Sequence, residues 1–356
     1  MSEFIPMEKA DVRLLGRTVF GGGARILGYS LSGVEFDFCG TSLSAELATE
    51  WVKDEPWKEV FKPFVAVLAD GELISRFSVG EGTGRYEIFS CEKPRSAVIR
   101  ILKLSENSFS RVMLKGFYTD GRIKATAPKS ERKIEFVGDS ITCGFGIEAY
   151  SASEGFSTAT ENPLINYASL TARAFDAEYN LVSWTAIGVY SNSVKDESVT
   201  EPDNGWTMPV IYDYADKAAD GLAGIDPPRK WDFSSFVPDL IVVNIGTNDK
   251  DFTRGIPERT AAFESTYRDF ISHIRELNPD SYILCVLGVM GQELCPQVEN
   301  AVRSLNDGRI SALRFPVQDE ADGIGAEWHP SAKTHRKMSD ILIAEIKRLG
   351  IFEEKD

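Results

Sequence analysis

The chain has 356 residues, 43% of them hydrophobic and 26% charged, with a formal net charge of -15 at pH 7. At about 150 residues per domain this length predicts two domains, and the composition is that of an ordinary globular protein. The acidic balance, with no run of Lys or Arg, excludes the basic footprint that nucleic-acid partners require. No stretch of about 18 apolar residues occurs, so no membrane partner is expected. Met1–Glu8 has neither a basic start nor an apolar h-region, which predicts a cytoplasmic protein as written, or a secreted one whose leader has been removed. The five cysteines, Cys39, Cys91, Cys143, Cys285 and Cys295, are odd in number and lack metal-ligand spacing, so reduced thiols and no metal are expected.

Strand signals dominate the first 125 residues. Val34, Phe36 and Phe38 alternate with Glu35 and Asp37, and Leu43, Ala45 and Leu47 alternate with Ser44 and Glu46, as half-buried antiparallel strands do. The run Phe64–Leu68 meets the hairpin pair Asp70-Gly71. Further β-rich runs at Tyr86–Phe89, Ala97–Leu104 and Arg111–Phe117 complete the pattern of a β-sandwich. A short polar segment over 124–133, interrupted by Pro128, then reads as a boundary between an all-β domain over 1–126 and a second domain over 131–356. In the second domain apolar strands at Ile134–Val137, Tyr179–Val182, Leu240–Asn244 and Tyr282–Leu287 alternate with helices near Pro163–Phe175, Arg259–Leu277, Val298–Leu305 and Ser331–Leu349. Such alternation predicts an α/β fold with a parallel sheet covered on both faces.

The strand Ile134–Val137 runs out into Gly138-Asp139-Ser140, which puts a hydroxyl at the carboxyl end of a sheet, where open α/β folds keep their active sites. A serine hydroxyl needs a base to take its proton and donors to receive the charge that develops on the substrate oxygen. Histidine suits the first task, because its pKa lies near neutrality. Of the three histidines, His273 continues an amphipathic helix and His335 sits inside the last helix, where local packing is expected. His329 lies in the loop Gly325–Ser331, closed by Pro330 just before that helix, and is the candidate base. Asn248, in Gly246-Thr247-Asn248-Asp249 at the end of the Leu240 strand, can aim its amide at the same crevice. Gly188, in the loop after Val182, can present a backbone N–H to an anion.

These four blocks, in this order, resemble the SGNH (GDSL-type) hydrolase superfamily. The resemblance implies a three-layer α/β/α domain without a cofactor. In it Ser140 attacks an ester carbonyl, His329 serves as base and then acid, and the Ser140 N–H, the Gly188 N–H and the Asn248 side chain form an oxyanion hole. Ala186 stands where many relatives have glycine, so its N–H is the alternative to that of Gly188. A β-sandwich ahead of the hydrolase domain, Thr207-Met208-Pro209 with Tyr212, and Trp328-His329-Pro330-Ser331 are further similar to carbohydrate esterase family 2, which pairs a jelly-roll domain with the hydrolase domain. That likeness implies a serine esterase removing O-acetyl groups from plant polysaccharides such as acetylated xylan or glucomannan. A GDSL lipase or acyl-thioesterase, and a non-catalytic carbohydrate-binding protein, are the competing readings.

Superfamily members usually carry an aspartate three residues before the histidine, where this chain has Ala326. The family implies that the ring is oriented by an acid two residues before the histidine, Glu327, or by a backbone carbonyl, with Asp319 or Asp322 open as substitutes. Aromatic side chains near these blocks, Trp184, Tyr190, Trp206, Tyr212 and Trp328, could stack on pyranose C–H faces. Trp328, Trp206 and Tyr212 are taken as the substrate-binding set. The expected partner is an acetylated polysaccharide or oligosaccharide, and self-association stays open.

Overall fold

A computed structural model describes residues 3–51 and 59–352. The chain divides into two compact units. The first takes the chain up to Lys129 together with Ser157–Ala159 and Tyr214–Trp231, and the second takes the remainder. A single linear boundary does not provide for the two short segments that group with the first unit.

Among the described residues the first unit is built on ten strands joined into one hydrogen-bonded sheet. The two alternating runs at residues 34–38 and 43–47 belong to a single strand, Gly33–Trp51, and the runs at 86–89 and 97–104 belong to another, Gly82–Lys103. These two pair antiparallel along nearly their whole length, with register shifts between Gly40 and Ser42 and between Leu43 and Ser44. The irregularity explains why the sequence reads as two strands. Where this strand advances from Gly40 to Ser42 its partner advances from Arg95 to Ser90, and across that irregularity the buried parity switches from Val34, Phe36 and Phe38 to Leu43, Ala45 and Leu47, all of which enter one hydrophobic core.

Glu35 departs from the alternation that placed it on the wet face. Its side chain is fully buried and accepts hydrogen bonds from Arg13 Nη2 at 2.7 Å, from Arg100 Nε and from Thr126 Oγ1. Burial alone would raise its pKa, but these three donors outweigh it and hold the carboxyl at about 2.

The second unit contains a parallel five-stranded sheet. Lys133–Gly138 lies between Glu178–Ser183 and Leu240–Asn244, and Tyr282–Leu287 and Ile310–Arg314 follow on the Leu240 side. The chain therefore crosses from one flank of the first strand to the other. This makes the carboxyl end of Lys133–Gly138 a topological switch point, the position where such sheets open a crevice. Every residue of Leu240–Asn244 is buried, as both faces are covered. Tyr167–Ala174 packs with Ala332–Arg348, and Pro257–Leu277 packs with Cys295–Leu305. No helix among the described residues is long and apolar enough to cross a membrane. The strand Ile310–Arg314 has no counterpart in the sequence reading, because its three central residues are only half-buried and its apolar signal is weak.

Replacing Glu35 by leucine leaves Arg13 and Arg100 without their shared counter-ion. The expected loss is about 3 kcal/mol, the low end for a broken buried pair because both arginines keep contact with water. Urea unfolding checks it. Because the folded carboxyl titrates below its ordinary 4.5, the stabilisation is fully present above that pH and is lost as pH falls through about 2.

Candidate active site

Gly138 ends its strand paired with Ser183 on one side and Asn244 on the other. A Cβ at Gly138 would meet Thr142 Oγ1 at 2.2 Å and Asn244 O at 2.8 Å, so only glycine lets the chain turn here into the next segment. Asp139 is the cap of the helical turn Ser140–Cys143, and its side chain accepts from the Ile141 N–H at 3.0 Å. Ser140 stands at the first position of that turn, where the backbone N–H has no partner within a helix. The turn closes on Gly144 at φ 78°.

His329 meets Ser140 across 189 residues of sequence, with Nε2 2.9 Å from Oγ. Its Nδ1 lies 3.1 Å from the carbonyl oxygen of Ala326. A carbonyl only accepts, so Nδ1 carries the proton and Nε2 presents its lone pair to the serine O–H, the arrangement a general base needs. The loop that achieves this is bent: Glu327 and Trp328 lie at φ 49° and 65°, the left-handed region that costs a non-glycine residue of order 1–3 kcal/mol. It is pinned to the segment after Ser140 through Ala326 N–H to Gly146 O at 3.2 Å, and Glu327 N–H reaches Ala152 O at 3.1 Å. Phe145 stacks on the His329 ring, centroids 4.0 Å apart, and Phe156 stacks on Phe145 at 3.7 Å. Burial lowers the His329 pKa to about 4. The Lys195 charge acts in the same sense, against the Ala326 and Glu327 carbonyls that favour the proton.

On the other side of Ser140, Asn248 Nδ2 donates to Ile187 O at 2.8 Å and lies 3.5 Å from Asp139 Oδ2. This ties the end of the Leu240 strand to the loop that carries Gly188. The buried Asp249 fastens the same loop by accepting the N–H groups of Val189, Tyr190 and Ser191 at 2.7–3.1 Å. Burial raises Asp139 to about 7, with the neighbouring charge of Asp249 adding to it, and raises Asp249 to about 6. Gly188 is buried, and a Cβ there would lie 1.9 Å from Ser191 O. Its N–H donates to Asn192 Oδ1 at 3.1 Å, so to meet an oxyanion that proton must leave Asn192 or be shared with it. Ala186, the alternative donor, is exposed and sits at φ 61°.

The structure thus brings Ser140, His329 and Asn248 to one end of the sheet, with the Gly188 loop beside them. Two expectations are corrected. Glu327 does not orient the histidine: its carboxylate accepts from Phe156 N–H at 3.3 Å, and the backbone carbonyl of Ala326 stands at Nδ1 instead. The left-handed turn at Glu327 sends the side chain away from the ring, which alternation along an extended loop could not reveal. Asp322 is engaged by Lys333 and Lys337, and Asp319 caps its own short turn.

Tyr212 lines no cleft. It is fully buried and donates to Glu135 Oε1 at 2.7 Å. Trp328 is 58% exposed beside His329, and Trp206 is partly buried, tilted against Trp184 at 5.5 Å. His273 pairs with Asp213 at 2.6 Å, while His335 is buried and accepts from Tyr167 N–H at 3.2 Å. Sequence reasoning missed Phe145, Asp139 and Asp249 as supporting groups. All three adjoin or lie inside the quoted motifs, but nothing in their spacing distinguishes a support from a bystander.

The family model of the GDSL-like lipase/acylhydrolases matches residues 136–337, which include Ser140, Gly188, Asn248 and His329. The chain belongs to this family. Ahead of the GDSL domain, the model of the carbohydrate esterase 2 N-terminal domain matches residues 14–128. The chain is 34% identical over 332 residues to the cellulase/esterase CelE of Acetivibrio thermocellus, covering 90% of this chain but only 37% of that protein. It is 28% identical over 261 residues to an acetylxylan esterase/glucomannan deacetylase of Cellvibrio japonicus, 70% of this chain and 69% of that one. A family 2 carbohydrate esterase from Clostridium thermocellum, solved with cellohexaose, superposes with a TM-score of 0.80 at 30% identity over 96% of this chain and all of that one.

Two measurements probe this geometry directly. The expected outcome is that the His329 imidazole takes up its second proton near pH 4, well below an ordinary histidine, because burial opposes the charge, and an NMR titration of the ring nitrogens reads it. Tyr212→Phe lowers stability by about 1–3 kcal/mol, because the buried Glu135 loses a hydrogen-bond donor. Chemical denaturation measures that loss, and a tyrosine that merely lined a cleft would show no change.

Proposed function

We propose that the chain is a serine esterase that removes O-acetyl groups from plant polysaccharides such as acetylated xylan or glucomannan. The observation that carries this reading is the Ser140 hydroxyl 2.9 Å from His329 Nε2, with the opposite ring nitrogen committed to a carbonyl. His329 takes the proton as Ser140 Oγ attacks the acetyl carbonyl, then gives it to the departing sugar oxygen, leaving an acetyl-enzyme that water clears by the reverse sequence. The tetrahedral oxyanion is met by the Ser140 N–H, the Asn248 amide and a backbone N–H of the 186–188 loop.

The substrate class is supported by relatives. The Cellvibrio japonicus protein bears the name acetylxylan esterase/glucomannan deacetylase, and the Clostridium thermocellum esterase was solved with a glucose oligomer. The exposed indole of Trp328, adjacent in sequence to His329, offers a flat face for a pyranose ring at the point where the proton is transferred.

Ser140→Ala reduces hydrolysis of an aryl acetate to background with the fold intact, and acetate release from acetylated xylan falls with it. Asn248→Ala lowers kcat by roughly 10²–10³, the effect of one lost oxyanion donor. Glu327→Gln keeps kcat within about a factor of ten, whereas loss of a true orienting acid costs roughly 10⁴. Steady-state kinetics on the three variants checks these outcomes, and a wild-type preference for octanoate over acetate esters would defeat the deacetylase reading.

A further inference from the structure

In the first unit, Met7, Glu8, Ala10, Val12, Leu14, Phe20 and Arg25 line a cavity of about 370 Å³. The one cation among the lining residues is Arg25. The Arg25 side chain makes no ion pair or hydrogen bond among the described residues, and its buried Nε has no partner. Its guanidinium lies over the Phe20 ring, 5.4 Å from the centroid. Arg229 comes close, donating to the Phe20 carbonyl at 2.9 Å, but is itself neutralised by Asp220 at 2.6 Å. In a chain with 54 acidic and 39 basic residues, an unneutralised guanidinium beside a second one, on a cavity wall, calls for an anion from outside. Burial and the Arg229 charge both push the Arg25 pKa down, in keeping with a cation short of a counter-ion.

The remaining walls say what kind of anion. Ala10, Val12 and Leu14 are apolar, partly buried or exposed, and suit the C–H face of a ring. Glu8 is exposed on the same wall and forms no ion pair with Arg25 among the described residues, so it is placed to accept hydrogen bonds from hydroxyls. A bare inorganic anion uses neither feature. The geometry points to a second saccharide site, on the β-rich unit, that binds a uronic acid unit of a glycan, its carboxylate on Arg25 and its hydroxyls toward Glu8. This deepens the polysaccharide reading above and rests on it for the identity of the glycan.

The test uses the full chain carrying Ser140→Ala, so that nothing is turned over. Calorimetric titration compares a xylo-oligosaccharide bearing one glucuronic acid branch with the same oligosaccharide lacking it, and inorganic phosphate serves as the anion control. The expected result is at least tenfold tighter binding of the acidic oligosaccharide, weakening with added salt. Arg25→Met abolishes that preference, Arg25→Lys keeps part of it, and phosphate does not compete at equal concentration. Leu14→Glu, at a position 42% exposed, places a carboxylate at the rim and abolishes the preference without touching Arg25, which covers the case of an arginine variant that fails to fold. In the unmutated background Arg25→Met leaves aryl acetate hydrolysis unchanged. Equal binding of the two oligosaccharides, or a preference that survives Arg25→Met or Leu14→Glu, overturns the site. Displacement by phosphate reduces it to a general anion site and overturns the uronic acid assignment. A chain that binds the acidic glycan through Arg25 but releases no acetate overturns the esterase reading and leaves this site standing.

Discussion

The hydrogen bond from His329 Nδ1 to the Ala326 carbonyl is the constraint on which the arrangement around Ser140 depends. It selects the tautomer, and the tautomer decides whether Nε2 faces the serine as a lone pair or as a competing donor. A peptide carbonyl supplies a dipole where a carboxylate supplies a charge. The ring is therefore steered without a counter-ion, and burial, with the Lys195 charge in the same sense, keeps it neutral down to about pH 4. In the proposed reaction the positive charge that His329 acquires is matched by the oxyanion across from it, which gives Asn248 and the loop N–H groups a larger share of the electrostatic work than an acid-oriented histidine leaves them.

Those donors are held by two buried acids rather than by packing alone. Asp249 gathers three consecutive N–H groups of the 189–191 segment, and Asp139 lies between its own helical turn and the Asn248 amide. Burial penalises both charges, and the Asp249 charge adds to the cost at Asp139, so both titrate high for carboxyls. The backbone N–H groups offset part of that penalty, as they must for a charge to persist in a dry setting. The four loops around Ser140 are thus tied in pairs: serine loop to histidine loop through Gly146 and Ala326, and asparagine loop to glycine loop through Asn248 and Ile187.

Much of the fold was legible locally. Alternation at residues 34–38 and 43–47 marked strand, and the order of apolar strands and amphipathic helices after residue 133 marked a parallel sheet, because period and polarity are properties of short windows. Continuity was not legible: a register shift near Gly40 joined two apparent strands into one, and no window of five residues contains that information. Burial of polar groups escaped for the same reason. Glu35 and Tyr212 look like surface or cleft residues until the arginines and the glutamate that satisfy them, 22 to 77 residues away, are in place.

By itself the sequence determined which chemical groups are present and on which strand ends they fall. Gly138-Asp139-Ser140, Asn248 and His329 sit where side-chain type, turn residues and chain order already point to a hydrolase of this family. Only the tertiary structure decided which group steadies the histidine. Both candidates lie within three residues of it, and a left-handed backbone at Glu327 and Trp328 turns the carboxylate toward Phe156 and the Ala326 carbonyl toward Nδ1. That choice is made by two backbone dihedrals, held by contacts to Gly146 and Ala152 nearly two hundred residues earlier in the chain, and residue identity alone does not encode it.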